Sequence, residues 1–239
     1  MKWQTCESAI VVLENVQGAR KLIKIYVARH GETTWNAEMR IQGRSDPGLT
    51  PKGEAQSLAL LEQLKDQPIS AIYTSTLQRS IRTAEPIAHH LGLAIQKRPE
   101  LDEINFGVLE GKTLSDMDET TRQEWEKFRT NRLRYYIPGA ENYLDVANRL
   151  KPFVASILRD HQGQEILIVG HRAVNRMLLG LILNHPLEEA ARIEQGNDCV
   201  YIIRRNEEWS VTRRTGGEVK DGLVFDGQNV VSSPGKKRR

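Results

Sequence analysis

Leu22-Ile23-Lys24-Ile25-Tyr26-Val27-Ala28-Arg29-His30-Gly31 decides the reading of this chain. Seven residues rich in β-branched and aromatic side chains suit a buried strand. They deliver Arg29 and His30 at the carboxyl end, where open α/β sheets bind their ligands. Two further segments have the same form. Glu165 to Gly170 is the clearest strand and runs into His171-Arg172, and Ile69 to Thr74 runs into Ser75-Thr76-Leu77-Gln78-Arg79.

Helices are expected between these strands. Thr50-Pro51-Lys52-Gly53-Glu54 opens one, with Thr50 as cap, Pro51 in the first turn and apolar positions at Ala55, Leu58, Ala59, Leu61 and Leu64. Leu77 to Leu91 reads as a second, interrupted or bent at Pro86. Leu93 to Gln96 is a short third strand. Lys112 to Arg134 is a charged, aromatic insertion with helical segments, and Asn142 to His161 is a helix with a kink expected at Pro152. Arg172 to Leu183 is the next helix, and Cys199–Arg204 with Trp209–Arg214 form a final pair of strands. Alternating strands and helices imply a three-layer α/β/α sandwich with a mostly parallel central sheet covered on both faces. Residues 1–21 are an extension of uncertain structure, 22–214 the folded domain, and 215–239 a basic tail expected to be disordered.

Composition narrows the function classes. With 239 residues, 39% hydrophobic and 27% charged, the chain fits one soluble domain. No apolar run approaches the ~18 residues of a membrane span. A net charge of +3, partly from Lys236-Lys237-Arg238-Arg239, makes no nucleic-acid groove. Cys6 and Cys199 are the only cysteines. No secretory h-region precedes the first strong strand, so a cytoplasmic protein with free thiols is expected. A monomer or homodimer is equally compatible with this composition.

Phosphoryl transfer requires a positioned nucleophile, fixed positive charge around the non-bridging oxygens, and a proton for the leaving oxygen. Four segments supply these parts. In Arg29-His30-Gly31, glycine permits close backbone approach and Arg29 offers a planar donor fork. Arg79 falls in the first turn of a helix whose N-terminus favours an anion. Leu101-Asp102-Glu103-Ile104-Asn105-Phe106-Gly107 sets carboxylates beside apolar residues, where desolvation raises an acid's pKa. Gly170-His171-Arg172 brings a second histidine to the edge that holds His30. No compact cluster has metal-ligand spacing, so neither metal nor cofactor is expected.

In this order the four segments resemble the histidine phosphatase superfamily, which contains cofactor-dependent phosphoglycerate mutases and many phosphatases. The similarity runs from about Lys24 to about Arg214. It implies a phosphoglycerate mutase-like fold and makes His30 the phosphoryl acceptor, with Arg29, Arg79 and His171 around the phosphate and Glu103 as proton donor. Asn36 matches a further phosphate-binding asparagine, and Gln42-Gly43 falls where backbone groups complete the pocket. A small phosphorylated metabolite is the implied substrate.

Asp102 to Gly111 is similar to the phosphatase branch rather than to the mutases. Pro138 to Asp145 and His171 to Arg176 resemble fructose-2,6-bisphosphatase, although Ala140-Glu141-Asn142 and Tyr136 depart from its pattern. This similarity points to Arg172 and Arg176 as substrate contacts. With Arg132 and Arg134 they suit a second anionic group. Their spacing, one helical turn, is equally that of a solvated helix face. A phosphoglycerate mutase and a phosphate-binding scaffold protein are the alternatives to a phosphatase. His89 and His90 read as exposed helix residues. Trp125, Phe128, Tyr135 and Tyr136 either shape a lid or fill its core.

Overall fold

A computed structural model describes residues 22–206, 208–226 and 228–231. Its centre is a seven-stranded sheet built from β1 (Ile23–Arg29), β2 (Ile69–Thr74), β3 (Ile95–Lys97), β4 (Glu165–Gly170), β5 (Cys199–Arg205), β6 (Trp209–Thr215) and β7 (Glu218–Asp221), in the order β3-β2-β4-β1-β5-β6-β7. The four strands β3, β2, β4 and β1 are parallel. The other three pairings are antiparallel, so the sheet is mixed, with parallel strands where the helices cross over. The short turn from Arg205 to Trp209 permits only an antiparallel return, whereas parallel pairs need a crossover.

Side chains alternate across β1 and sort the helices into two layers. Tyr26 and Ala28 face α2 (Pro51–Leu64) and α3 (Gln78–Leu91) through Leu60, Leu64, Ala84 and Ile87. Ile25 and Val27 face α5 (Tyr143–Asp160) and α6 (Arg172–Leu183) through Val146, Leu150, Val174 and Leu178. On this second side, Phe128 of α4 (Glu119–Thr130) joins the core. A short α1 (Thr34–Ala37) follows β1, and α7 (Leu187–Ala190) follows α6. No described helix is long and apolar enough to cross a membrane.

Two prolines lie inside unbroken helices. Both α3 and α5 run continuously through Pro86 and Pro152. Pro86 cannot donate to the Arg82 carbonyl one turn back. The Ser57 hydroxyl donates there instead (3.2 Å) and to the Thr83 carbonyl (2.9 Å).

The expected disorder after Thr215 does not hold as far as Val231. Beyond β7, the chain forms the hairpin β8 (Leu223–Phe225) and β9 (Gln228–Val231). Leu223 and Phe225 are buried, Phe225 bridges Ile193, and its ring lies 5.7 Å from that of His185. Two apolar side chains in a polar segment thus suffice to dock it. Residues 1–21 and 232–239, the rest of the two expected tails, lie outside the described residues.

Candidate active site

Three neighbouring parallel strands end at one edge and set out the site. Arg29 pairs with Gly170 in register, and the His30 amide donates to the Gly170 carbonyl (3.0 Å). His30 and His171 therefore leave adjacent strands side by side, with ring centroids 5.1 Å apart. From the end of β2, on the other side of β4, Ser75 and Arg79 reach the same place.

The local bonds fix the tautomers. His30 Nδ1 lies 2.8 Å from the Gly31 carbonyl. A carbonyl only accepts, so Nδ1 carries the hydrogen and Nε2 keeps its lone pair. For His171, Nε2 lies 2.7 Å from Ser75 Oγ, and Ser75 Oγ lies 2.6 Å from Ser80 Oγ. Ser80 spends its hydroxyl hydrogen on the Leu77 carbonyl (2.9 Å). Ser75 therefore donates to Ser80 and accepts from His171 Nε2–H, which leaves Nδ1 as the ring's lone-pair atom. That Nδ1 is buried without a hydrogen-bond partner. Burial, then the Arg29 and Arg79 charges, hold the His30 pKa well below its usual 6.5. His171 is held well below 6.5 by burial first, then by Arg79, His30 and Arg29.

Arg79 is 1% exposed. It donates to the carbonyls of Gly43 (2.7 Å) and Ser45 (2.5 Å) and stands 3.3 Å from Asp46. Its Nε has no partner, like that of Arg29. Arg29 donates to the Gln195 carbonyl (3.3 Å), and burial brings its pKa down to about 10. The Asp46 carboxylate accepts from the amides of Gln78 (2.5 Å) and Arg79 (3.3 Å). The helix N-terminus expected to receive a substrate anion is thus already filled by this chain's own carboxylate.

The close backbone approach at Gly31 is to Gly53. A Cβ there would fall 2.5 Å from the Gly53 carbonyl oxygen, so the loop after His30 packs on the start of α2. Asn36 closes a capping box with Thr33: its Oδ1 accepts from the Thr33 amide (3.1 Å) and the Thr33 hydroxyl (3.2 Å). Gln42 Oε1 accepts from the same hydroxyl (2.9 Å). Gly43 has φ +53°, and any Cβ would collide with Glu110.

Arg29, His30, Asn36, Gln42, Gly43, Arg79, Glu103, Arg172 and Arg176 line one cavity of about 210 Å³, with Phe106, Trp125, Phe128 and Tyr143 as an aromatic wall. Glu103 is 7% exposed there, and its Oε1 accepts from the Ile104 amide (3.0 Å). His171 is fully buried beside His30. Arg132 lines it, but Arg134 lies outside, exposed and 3.7 Å from Glu188. Arg172 is half-exposed and bonded to Glu194 (2.7 Å), whereas Arg176 is buried. Tyr135 bonds Glu124 and Tyr136 bonds Asp145, away from the cavity. His89 and His90 are exposed. Among the described residues, no three His, Cys, Asp or Glu side chains are gathered as metal ligands.

Three supporting residues were not singled out from sequence. Asn175 Nδ2 donates to the Ala28 carbonyl (2.9 Å) and to Gln195 Oε1 (2.8 Å). Gln195 Nε2 donates to the Val27 carbonyl (2.8 Å), and Asn197 Nδ2 donates to the His30 carbonyl (2.6 Å). A signal existed for Asn175 alone, as a polar residue on the apolar side of α6.

Fold and site together define an α/β enzyme with a cationic, two-histidine pocket at a strand edge. The profile described as histidine phosphatase superfamily (branch 1) matches residues 25–215. The chain is 37% identical over 187 residues to a protein of Escherichia fergusonii named "Probable phosphoglycerate mutase GpmB", covering 78% of this chain and 86% of that one. Among solved structures, YhfR of Bacillus stearothermophilus superposes with TM-score 0.73 and 32% identity, covering 83% of this chain and 98% of that one. A mycobacterial glucosyl-3-phosphoglycerate phosphatase shares the fold (TM-score 0.72, 24% identity, coverage 79% and 96%). The chain belongs to the histidine phosphatase superfamily.

Proposed function

We propose that the chain hydrolyses a small phosphorylated metabolite, a sugar phosphate, phosphoglycerate or phosphoamino acid, through a phosphohistidine on His30. The observation that carries this reading is the bond from His30 Nδ1 to the Gly31 carbonyl in a buried ring between arginines. It leaves Nε2 as a neutral nucleophile aligned before substrate arrives. His30 Nε2 attacks phosphorus as the ester P–O bond breaks, and Glu103 gives the leaving oxygen its proton. Arg29 and Arg79 hold the non-bridging oxygens, and His171 Nδ1, a lone-pair atom in the free protein, takes up a proton as the anion binds and adds a third donor. Water then attacks the phosphohistidine with Glu103 taking its proton, and phosphate and free His30 are released. No step is assigned to a metal.

Phosphate release from p-nitrophenyl phosphate tests the reading, together with an acid-labile, alkali-stable phosphoenzyme trapped by rapid quench. Both are expected for the parent and absent from His30→Ala. Turnover that persists in His30→Ala at the parent rate overturns it. The name of the Escherichia relative favours a second reading, a phosphoglycerate mutase. It predicts that 3-phosphoglycerate is isomerised faster than it is hydrolysed.

A further inference from the structure

Outside the family match, which ends at residue 215, one side chain reaches the cavity wall. Asp226 follows β8, which lies along residues 192–194. Its amide donates to the Arg192 carbonyl (2.8 Å), and the Glu194 amide donates to the Val224 carbonyl (2.7 Å). So anchored, the Asp226 carboxylate stands 3.0 Å from Arg132 Nη1, 3.3 Å from Arg176 Nη2 and 4.0 Å from Arg172 Nη2. Glu194 adds contacts of 2.7 Å to Arg172 and 3.6 Å to Arg176. The three arginines line the candidate active-site cavity, whereas Asp226 lies behind them, in a neighbouring cavity of about 350 Å³ that shares Arg132.

Every nitrogen of the Arg176 guanidinium is engaged within the chain. Arg176 spends Nε on the Ile193 carbonyl (2.6 Å), Nη1 on the Tyr143 hydroxyl (3.2 Å) and Nη2 on Asp226. Arg132 shares Nη1 between Asp226 and the Ala191 carbonyl. Three guanidinium charges therefore meet two carboxylates. A second full anion at this end must compete with carboxylates already in place, while an uncharged hydroxyl needs only a residual N–H.

We propose that Asp226 is a specificity-determining positioning residue: by pairing with Arg132 and Arg176 it biases the cavity toward monophosphates whose remainder is uncharged and hydroxylated, against those with a second anion. The inference rests on the phosphomonoesterase reading and deepens it.

Glycerol 3-phosphate and 3-phosphoglycerate make a matched pair, a hydroxymethyl group in one standing where the other has a carboxylate. Each is measured as a competitive inhibitor of p-nitrophenyl phosphate hydrolysis, so neither need turn over. In Asp226→Asn the ratio of the two Ki values is expected to move about tenfold toward 3-phosphoglycerate, the effect of removing one nearby negative charge. Asp226→Glu, which keeps the charge, is expected to hold the parent ratio. A ratio within about twofold of the parent in Asp226→Asn, both constants changing in parallel, or a shift toward glycerol 3-phosphate overturns the inference. If the parent does not hydrolyse p-nitrophenyl phosphate, the phosphomonoesterase reading itself falls. Hydrolysis with an unmoved ratio sinks only the role of Asp226.

Discussion

Acidification is expected to destabilise this protein in a window set by its two buried histidines. His30 and His171 are held neutral in the fold, both well below the ordinary 6.5. In the unfolded chain both take up a proton as pH falls through about 6.5, so the unfolded state binds more protons and stability falls with pH. Between pH 7.5 and 5.5 each histidine costs about 1.4 kcal/mol, or about 2.7 kcal/mol for the pair. Carboxylates with lowered native pKa values act only below about 4.5 and stay outside this window. Urea unfolding at half-unit steps, monitored by tryptophan fluorescence, gives the slope directly. His171→Asn should halve it, and saturating inorganic phosphate should flatten it, because a bound anion favours the charged imidazoles. A stability that stays level from pH 7.5 to 5.5 would refute the neutral-pair reasoning. So would a full slope surviving in His171→Asn.

Other expectations follow from single contacts. Glu103→Gln should lower kcat on an alkyl phosphate by about 10²–10³, and far less on p-nitrophenyl phosphate, whose leaving group needs little protonation. Equal losses on both would remove Glu103 from the proton-donor role. Gly31→Ala drives a methyl against the Gly53 carbonyl. It should cost about 1–3 kcal/mol by thermal unfolding and most of the activity, since the nucleophile loop must shift. Asn175→Ala leaves Gln195 Oε1 without its donor beneath Arg29. KM for phosphate esters should rise several-fold more than kcat falls, and the reverse pattern would count against a role in phosphate binding. Treatment with EDTA should leave p-nitrophenyl phosphate hydrolysis intact. Loss restored by magnesium would show that a metal takes part.

What the sequence disclosed depended on how locally each structure is determined. The run Ile166 to Val169 is buried on both faces of the sheet and reads as a strand without help. The three strand ends beside it then locate Arg29, His30, Ser75 and His171. By contrast, β8 owes its place to Phe225 finding Ile193 and His185, contacts that no local pattern announces. Asp46 at the start of α3 and Asp226 behind the arginines act across more than thirty residues of chain. Their effect is electrostatic, so a reading built on motifs passes over them. The unbroken course of α3 through Pro86 is illegible for the same reason, because the hydroxyl that meets the freed carbonyl belongs to another helix.

The enclosure of Arg79 has a consequence for the rest of the chain. Its guanidinium is stripped of water by the fold and bound to two loop carbonyls before any ester arrives. The dehydration of that charge is therefore charged to folding and not to catalysis, and the loop from Gly43 to Asp46 is held by the cation it surrounds. A phosphate that enters meets a socket already dry and already shaped. The protein without ligand carries that cost as lost stability, and each anion that binds returns part of it.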